Sequence, residues 1–506
     1  MTKAELQDVM NEDLKNFLKD LLDQVARDMA DGSFEDASNR LSRVMVIFPG
    51  HEKTNRVMFE VSIKIAKPEN LAANLFRLRL LGLATKSDFL AALGGFVKSD
   101  RISDAVAFCK SLLRKQPNDP LTRFYDAEMA SVSMPIPDYL RALRVVLVLE
   151  PSLAIAAAQY AAELGLYDPK AWGMPEVNRW RTRAYVSAPE DRAVRFALAY
   201  EERRHSILDM ESWRKFSLDY ASLEGRNGPV SLPLPSWNGQ VDRNQRLLVW
   251  GTDRDGVGDI LLHARCLRSL LEVGQTGGVR VPQRLERLIC RSFPDWEVFS
   301  EPRAVYAEYG YCIRLLDLSG HVAPDETVAY LRADSNLRDN LRGRYRRSSD
   351  KPLIGLSWRG GSGALDRMAR TVPLTELARL FCDDKMIWVS LQHGSLEDDE
   401  VRLAQDGRLI IDEDIDPYGD IDLFAAQVAA MDAVISVNNT TANLAAGLGL
   451  PTLCILPKST QWWWGVEGDR TPWYPNMRLF RQAVPGQWDD VVERIVAAVG
   501  APKVSV

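Results

Sequence analysis

The first third of the chain repeats itself, and that limits what it can fold into more than any other feature. Pro117 stands 68 residues after Pro49 and 34 before Pro151, so the three prolines share one 34-residue step. Each follows a helical pattern, and proline ends a helix because it lacks the N–H and clashes with the preceding turn. Eight residues before each slot stand Leu41, Leu75, Cys109 and Leu143. Five before stand Val44, Leu78, Leu112 and Val146, and twelve before stand Ala37, Leu71, Ala105 and Tyr139. One slot holds Leu83 instead of proline. Offsets of three, four and seven between these columns place them on one helix face.

A step of 34 residues is that of the tetratricopeptide helix pair. One pair cannot bury its apolar face alone, so neighbours stack into a solenoid. The clearest copy runs from Phe89 to Asp119, with Phe96, Ala105, Cys109, Leu112 and Pro117 in place. Most of the usual signature Trp and Tyr are missing, so the copies are degenerate. From Ala154 to about Leu223 the helical pattern goes on while the step drifts, Pro189 following Pro151 by 38. Solenoids mostly present a concave groove, which here points to a docked protein or peptide. The other reading is a packing scaffold or an arm for homodimerisation.

Charge narrows the partners. Lys and Arg number 63 against 69 Asp and Glu in 506 residues, a net charge of −6. That is no footprint for nucleic acid and no basic face for a membrane surface. No run of about 18 apolar residues offers a membrane span. Met1 to Asn16 is polar and lacks the apolar core of a secretory leader, so a cytoplasmic protein is expected. The six cysteines form no C-x-x-C pair, and the five histidines (His51, His205, His263, His321 and His393) show no metal spacing.

Residues 1–224 thus read as a helical repeat domain. Gly225 to Val241, GRNGPVSLPLPSWNGQV, reads as a Pro/Gly linker. Beyond it, short apolar runs alternate with helices. Strands are expected at Arg246–Trp250, Leu353–Trp358, Met386–Leu391, Leu409–Asp412, Ala433–Val437 and Thr452–Leu456. Helices are expected at Asp259 to about Val273, from near Leu374, at Asp422–Ala430, at Thr441–Leu448 and at Gln487–Val499. Such βαβ alternation predicts two doubly wound parallel sheets, with ligands at the carboxyl ends of their strands. Boundaries of 242–345 and 346–506 follow for the two lobes.

Four segments carry candidate chemistry. WGTDRDGVGD (Trp250–Asp259) is a strand, a glycine loop and a carboxylate at a helix start. Asp259 there is either a general base or only a helix N-cap, with Asp253 and Asp255 as rival carboxylates. VNNTTANL (Val437–Leu444) sets asparagines and threonines between a strand and a helix. That suits a phosphate at the helix N-terminus, or plain capping by Thr440 or Thr441. LSWRGGSGALDRMAR (Leu356–Arg370) places Arg359, Arg367 and Arg370 on a loop, either as phosphate forks or as a solvated surface. QWWWGVEGDRTPW (Gln461–Trp473) belongs to a tryptophan-rich stretch that either stacks on a base or sugar or packs the core.

In order, G-V-G-D, G-L-S-W-R-G-G, R-T-V-P-L, W-V-S-L-Q-H-G, V-I-S-V-N-N-T-T-A-N-L-A-A-G-L-G-L-P-T and W-Y-P-N-M-R-L-F-R-Q resemble one group. It comprises bacterial proteins in which tetratricopeptide repeats are fused to a heptosyltransferase-type glycosyltransferase (glycosyltransferase family 9, O-GlcNAc transferase-like). The resemblance implies a GT-B fold, two Rossmann-like domains facing a cleft, with the acceptor on the first and a nucleotide sugar on the second. It implies Asp259 as the general base and Arg254, Gly256 and Gly258 as the acceptor-side loop. It assigns the donor to Arg359, Arg370, Gln392, Asn438, Asn439, Thr440, Thr441 and Asn443. It implies neither metal nor other cofactor, and a protein acceptor such as a flagellin or another surface protein. Two positions depart from the group: Asn438 stands for an acidic residue and Asn443 for a histidine. Asparagine still hydrogen-bonds but carries no charge. A non-catalytic adaptor with a decayed transferase half is therefore the rival reading.

Overall fold

The computed structural model describes residues 3–167, 175–205, 232, 234–301, 306–324, 327–347, 349–361, 364–382, 385–394 and 397–499. The chain divides into two compact units, Met1–Ala130 with two short segments, and Ser131–Leu147 with Pro151–Gly361 and Asp366–Val506.

Helices come first: α1 (Lys3–Ala30), α2 (Phe34–Ile47), α3 (Glu52–Ile65), α4 (Pro68–Leu80), α5 (Lys86–Lys98) and α6 (Ile102–Lys115). They continue as α7 (Pro120–Ala130), α8 (Ile136–Leu149), α9 (Ala154–Tyr167), α10 (Pro175–Ser187) and α11 (Arg192–His205). Phe34, Pro68, Ile102 and Ile136 start one series, and Glu52, Lys86, Pro120 and Ala154 start the other, both in 34-residue steps. All twelve column residues named above are buried, none more than 2 % exposed. Burying each leucine contributes roughly 1.5–3 kcal/mol, and this apolar face is what the repeat preserves. Around Phe108 the rings of Phe89 and Phe96 lie 5.8 and 6.0 Å away. Where the proline is missing, Gly82 turns the chain instead, at φ +69°. The helical run expected to Leu223 is present to His205; residues 206–231 lie outside the described residues, and with them the first part of the expected linker. Its described end lies along the first sheet, Ser236 bridging to Cys312 and Trp237 buried.

Two parallel sheets follow. The first contains β1 (Leu247–Trp250), β2 (Gly277–Arg280), β3 (Glu297–Phe299) and β4 (Tyr311–Arg314), in the order β3-β2-β1-β4. Around it lie α12 (Val257–Ala264), α13 (Cys266–Glu272) and α14 (Gln283–Ser292). The second contains β5 (Leu353–Ser357), β6 (Ile387–Ser390), β7 (Ala433–Val437), β8 (Thr452–Leu456) and β9 (Met477–Arg481), in the order β6-β5-β7-β8-β9. Its helices are α15 (Ser335–Arg346), α16 (Ala364–Arg370), α17 (Asp398–Gln405), α18 (Ile421–Ala429), α19 (Thr440–Gly447) and α20 (Asp489–Val499). Every residue of β1, β5, β7 and β8 is buried, as strands covered on both faces must be. The fold is thus a tetratricopeptide-type helical array followed by two Rossmann-like lobes, the GT-B arrangement. In each sheet the strand order reverses beside one strand, at β1 in the first and β5 in the second. Doubly wound folds open a crevice at that switch point, outside the carboxyl ends. The β1, β5 and β7 loops with their candidate residues lie there.

Several expectations need correction. The helix from Asp259 to Val273 is two helices, broken at Arg265, whose buried guanidinium donates to the carbonyls of Trp473 and Thr327. Leu409–Asp412 is no strand but a single bridge from Ile410 to Val389. The loop after β5 contains α16, and the element near Leu374 is a 3₁₀ turn, Glu376–Cys382. Strands β2, β3 and β4 and edge strand β9 fall outside the six expected strand segments. Of the tryptophans, Trp462, Trp464, Trp473 and Trp488 are buried, which favours core packing over stacking on a ligand.

Candidate active site

The loop after β1 has three carboxylates with different surroundings. Asp253 is mostly exposed and pairs at 2.8 Å with Arg280, at the end of β2. Asp255 is buried, pairs with Arg314 at the end of β4, and accepts the Thr252 N–H at 2.7 Å. These two rivals therefore fasten the loop to neighbouring strand ends. Asp259 is not an N-cap: the cap is Gly256, and Asp259 is the third residue of α12. Its carboxylate folds back over the cap, so a Cβ at position 256 would sit 2.5 Å from Asp259 Oδ2. Arg254 is exposed at the loop tip.

One turn beyond Asp259, the His263 Nδ1–H donates to the Asp259 carbonyl at 2.8 Å. Burial, above all, pulls His263 down to about 4; the charges of Arg203 and Arg314 act the same way, and the bond to Asp259 opposes them. The imidazole is neutral at neutral pH and braces the helix. Trp462 and Trp473 flank it, with ring centroids 6.1 and 5.8 Å away.

Across the crevice, the cap of α19 is Asn439, not Thr440 or Thr441. Its Oδ1 accepts from the Thr441 and Ala442 amides at 2.9 and 3.3 Å and from Ser436 Oγ at 2.9 Å. Its Nδ2 donates to Ser357 Oγ at 2.8 Å and to the Arg359 carbonyl at 3.0 Å. Asn439 thus ties the ends of β7 and β5 together. Asn438 and Asn443 are each 3 % exposed, and each has a side-chain oxygen with no partner among the described residues. Asn438 Nδ2 donates to Gln461 Oε1, and Asn443 Nδ2 donates to the Asn439 carbonyl at 3.3 Å.

Gln392 clasps the β5 loop, accepting from the Trp358 and Arg359 amides at 3.0 and 2.8 Å. Arg359 is held by Glu400, at 2.7 Å, and by Glu397, at 2.8 Å. Its charge is spent on a buried carboxylate, Glu400 being 1 % exposed. Arg370 pairs through Nη2 with Asp366, one turn earlier on α16, and also reaches the crevice, where Nη1 donates to the Asn438 carbonyl at 2.8 Å. Burial lowers the Arg370 pKa, while the Tyr200 phenol, once ionised, and the Asp259 carboxylate act to raise it.

The two motif helices meet. A Cβ on Gly258 would lie 2.8 Å from Asn443 Nδ2 and 3.7 Å from Thr440 Oγ1. Bare backbone at 258 is what lets the N-terminus of α12 lie against that of α19. Asp259, Arg370, Asn438, Thr440, Thr441 and Asn443 therefore converge, with two helix N-termini adding partial positive charge. Arg359, Gln392 and Asn439 hold the loops that present them. The sequence reading missed His263, Gln461 and Arg203. Only His263 left a signal, at i+4 from Asp259 on one helix face.

The chain matches no protein-family profile. It is 25 % identical over 314 residues to protein FlbA of Caulobacter vibrioides, covering 57 % of this chain and 52 % of that protein. The chain thus spans about half the length of that curated relative. Among solved structures it is similar to E. coli ADP-heptose LPS heptosyltransferase II, at 14 % identity and a TM-score of 0.37, covering 51 % of this chain and 98 % of that one. A mutant of the Thermobaculum terrenum O-GlcNAc transferase covers 83 % of this chain and 91 % of its own, at 12 % identity and a TM-score of 0.28. No helix among the described residues is long and apolar enough to cross a membrane.

Proposed function

We propose that the chain is a glycosyltransferase that moves a sugar from a nucleotide-activated donor to an acceptor hydroxyl on a protein docked by the repeats. The observation that carries the reading is the meeting of α12 and α19 at Gly258, which sets the first turn of α12, where Asp259 stands, against the first turn of α19. In the proposed reaction the acceptor oxygen attacks the anomeric carbon and its proton passes to Asp259. The bond from that carbon to the phosphate oxygen breaks, and the nucleoside mono- or diphosphate of the donor leaves with the electron pair. Arg370 and the end of α19 meet the growing negative charge. The α19 cap already occupies the Thr441 and Ala442 amides, so the Thr440 and Thr441 hydroxyls and Arg370 supply most of the directed donors. No step is routed through a metal.

A calorimetric screen of UDP-, ADP-, GDP- and CMP-sugars tests the donor claim, and a mass gain on a co-incubated surface protein tests the acceptor claim. The rival, a non-catalytic adaptor, draws on Asn443, a neutral amide where the group has a histidine. Intact folding with no response to any of these donors favours it.

A further inference from the structure

The last described helix of the N-terminal helical region, α11, belongs to the same compact unit as both lobes. Its Ala199 is part of their core, and Phe196 and Tyr200 pack against that core. Its end presses on the segment after β8. Arg204 Nη2 lies 3.4 Å from Ser459 Oγ, and the Arg203 guanidinium lies 4.4 Å from the centre of the Trp462 ring. Arg203 is only 1 % exposed. Burying a guanidinium is costly, and its face-on contact with an indole offsets part of that cost.

Trp462 leads onward in two directions. Its ring packs against His263, whose Nδ1–H holds the Asp259 carbonyl. Its chain neighbour Gln461 accepts from Asn438 Nδ2. From Arg203, then, one side chain separates α11 from His263, and two separate it from the backbone of Asp259.

We infer that Arg203 is a positioning residue, fixing Trp462 so that His263 holds the first turn of α12 and Gln461 holds Asn438. The catalytic meaning of this rests on the proposed transferase reading; the mechanical link does not. A brace for the fold alone would protect the whole unit evenly, whereas a positioning contact acts on α12 and the segment 459–464. Arginine suits the task because its flat, permanently charged fork keeps one orientation over the ring.

The test is hydrogen exchange on the full chain, comparing wild type with Arg203→Met, Arg203→Lys and, should Arg203→Met not fold, Trp462→Phe. Amides of residues 257–264 and 459–464 should exchange about tenfold faster in Arg203→Met, with those of β5 and β7 unchanged and Arg203→Lys restoring only part of the protection. With an active donor, kcat should fall about tenfold and the donor KM should rise as Asn438 loosens. Unchanged exchange at 257–264 in a folded variant, or an even rise across both sheets, overturns the inference. If wild type binds no nucleotide sugar, the transferase reading falls and the exchange result still decides the role of Arg203.

Discussion

Gly258 and Asn443 belong to different lobes, and the amide of Asn443 stands 2.8 Å from where a side chain on Gly258 would begin. Gly258→Ala should force the Asn443 side-chain amide aside, and because that amide is buried the change should cost about 1–3 kcal/mol, as overpacking does. Chemical denaturation measures the cost, and donor calorimetry should show weaker binding alongside it.

The three loop carboxylates should separate by stability. Asp255→Ala removes the buried carboxylate that pairs with the largely buried Arg314 and should cost about 3–5 kcal/mol. Asp253→Ala removes a pair whose carboxylate is 67 % exposed and should cost less than about 1 kcal/mol. Paired denaturation curves at neutral pH check both.

Arg370→Met should weaken donor binding by roughly tenfold or more, because it removes the crevice arginine held by the Asn438 carbonyl. Arg359→Met should act first on stability, since it strands buried Glu400. Calorimetry and denaturation on both variants separate the two arginines.

Glu163 on α9 gives a pH signature. Burial, then the charge of Glu201, raises it to about 7, against the opposing charges of Arg204 and Lys458 and a hydrogen bond from Gln159. The folded state therefore holds this proton more tightly than the unfolded chain. Its contribution is full below about pH 4.5, the ordinary value, and is lost as pH rises through about 7. Glu163→Gln keeps the Gln159 bond and removes the titration. Its Tm advantage over wild type should grow from pH 5 to pH 8.

The sequence revealed the repeats because their signal is local. Leu41, Leu75, Cys109 and Leu143 fall on one buried column at a fixed step, which needs no knowledge of distant partners. Strands β7 and β8 were equally legible as short apolar runs between turn residues. The cap of α19 was not: Asn439 and Thr440 are both good caps, and Asn439 takes the place while also binding Ser357, far away in sequence. The stack of Arg203 on Trp462 joins residues more than 250 positions apart, and no local pattern announces such a pair. Asn443 could be read as a departure from the group, but not as the residue that touches Gly258.

The central claim is that Asp259 takes the acceptor's proton. It is tested most directly by measuring sugar transfer and donor binding together in wild type and Asp259→Asn. Transfer should fall by at least about 100-fold, with donor affinity and Tm close to wild type. Undiminished transfer by Asp259→Asn would contradict the account.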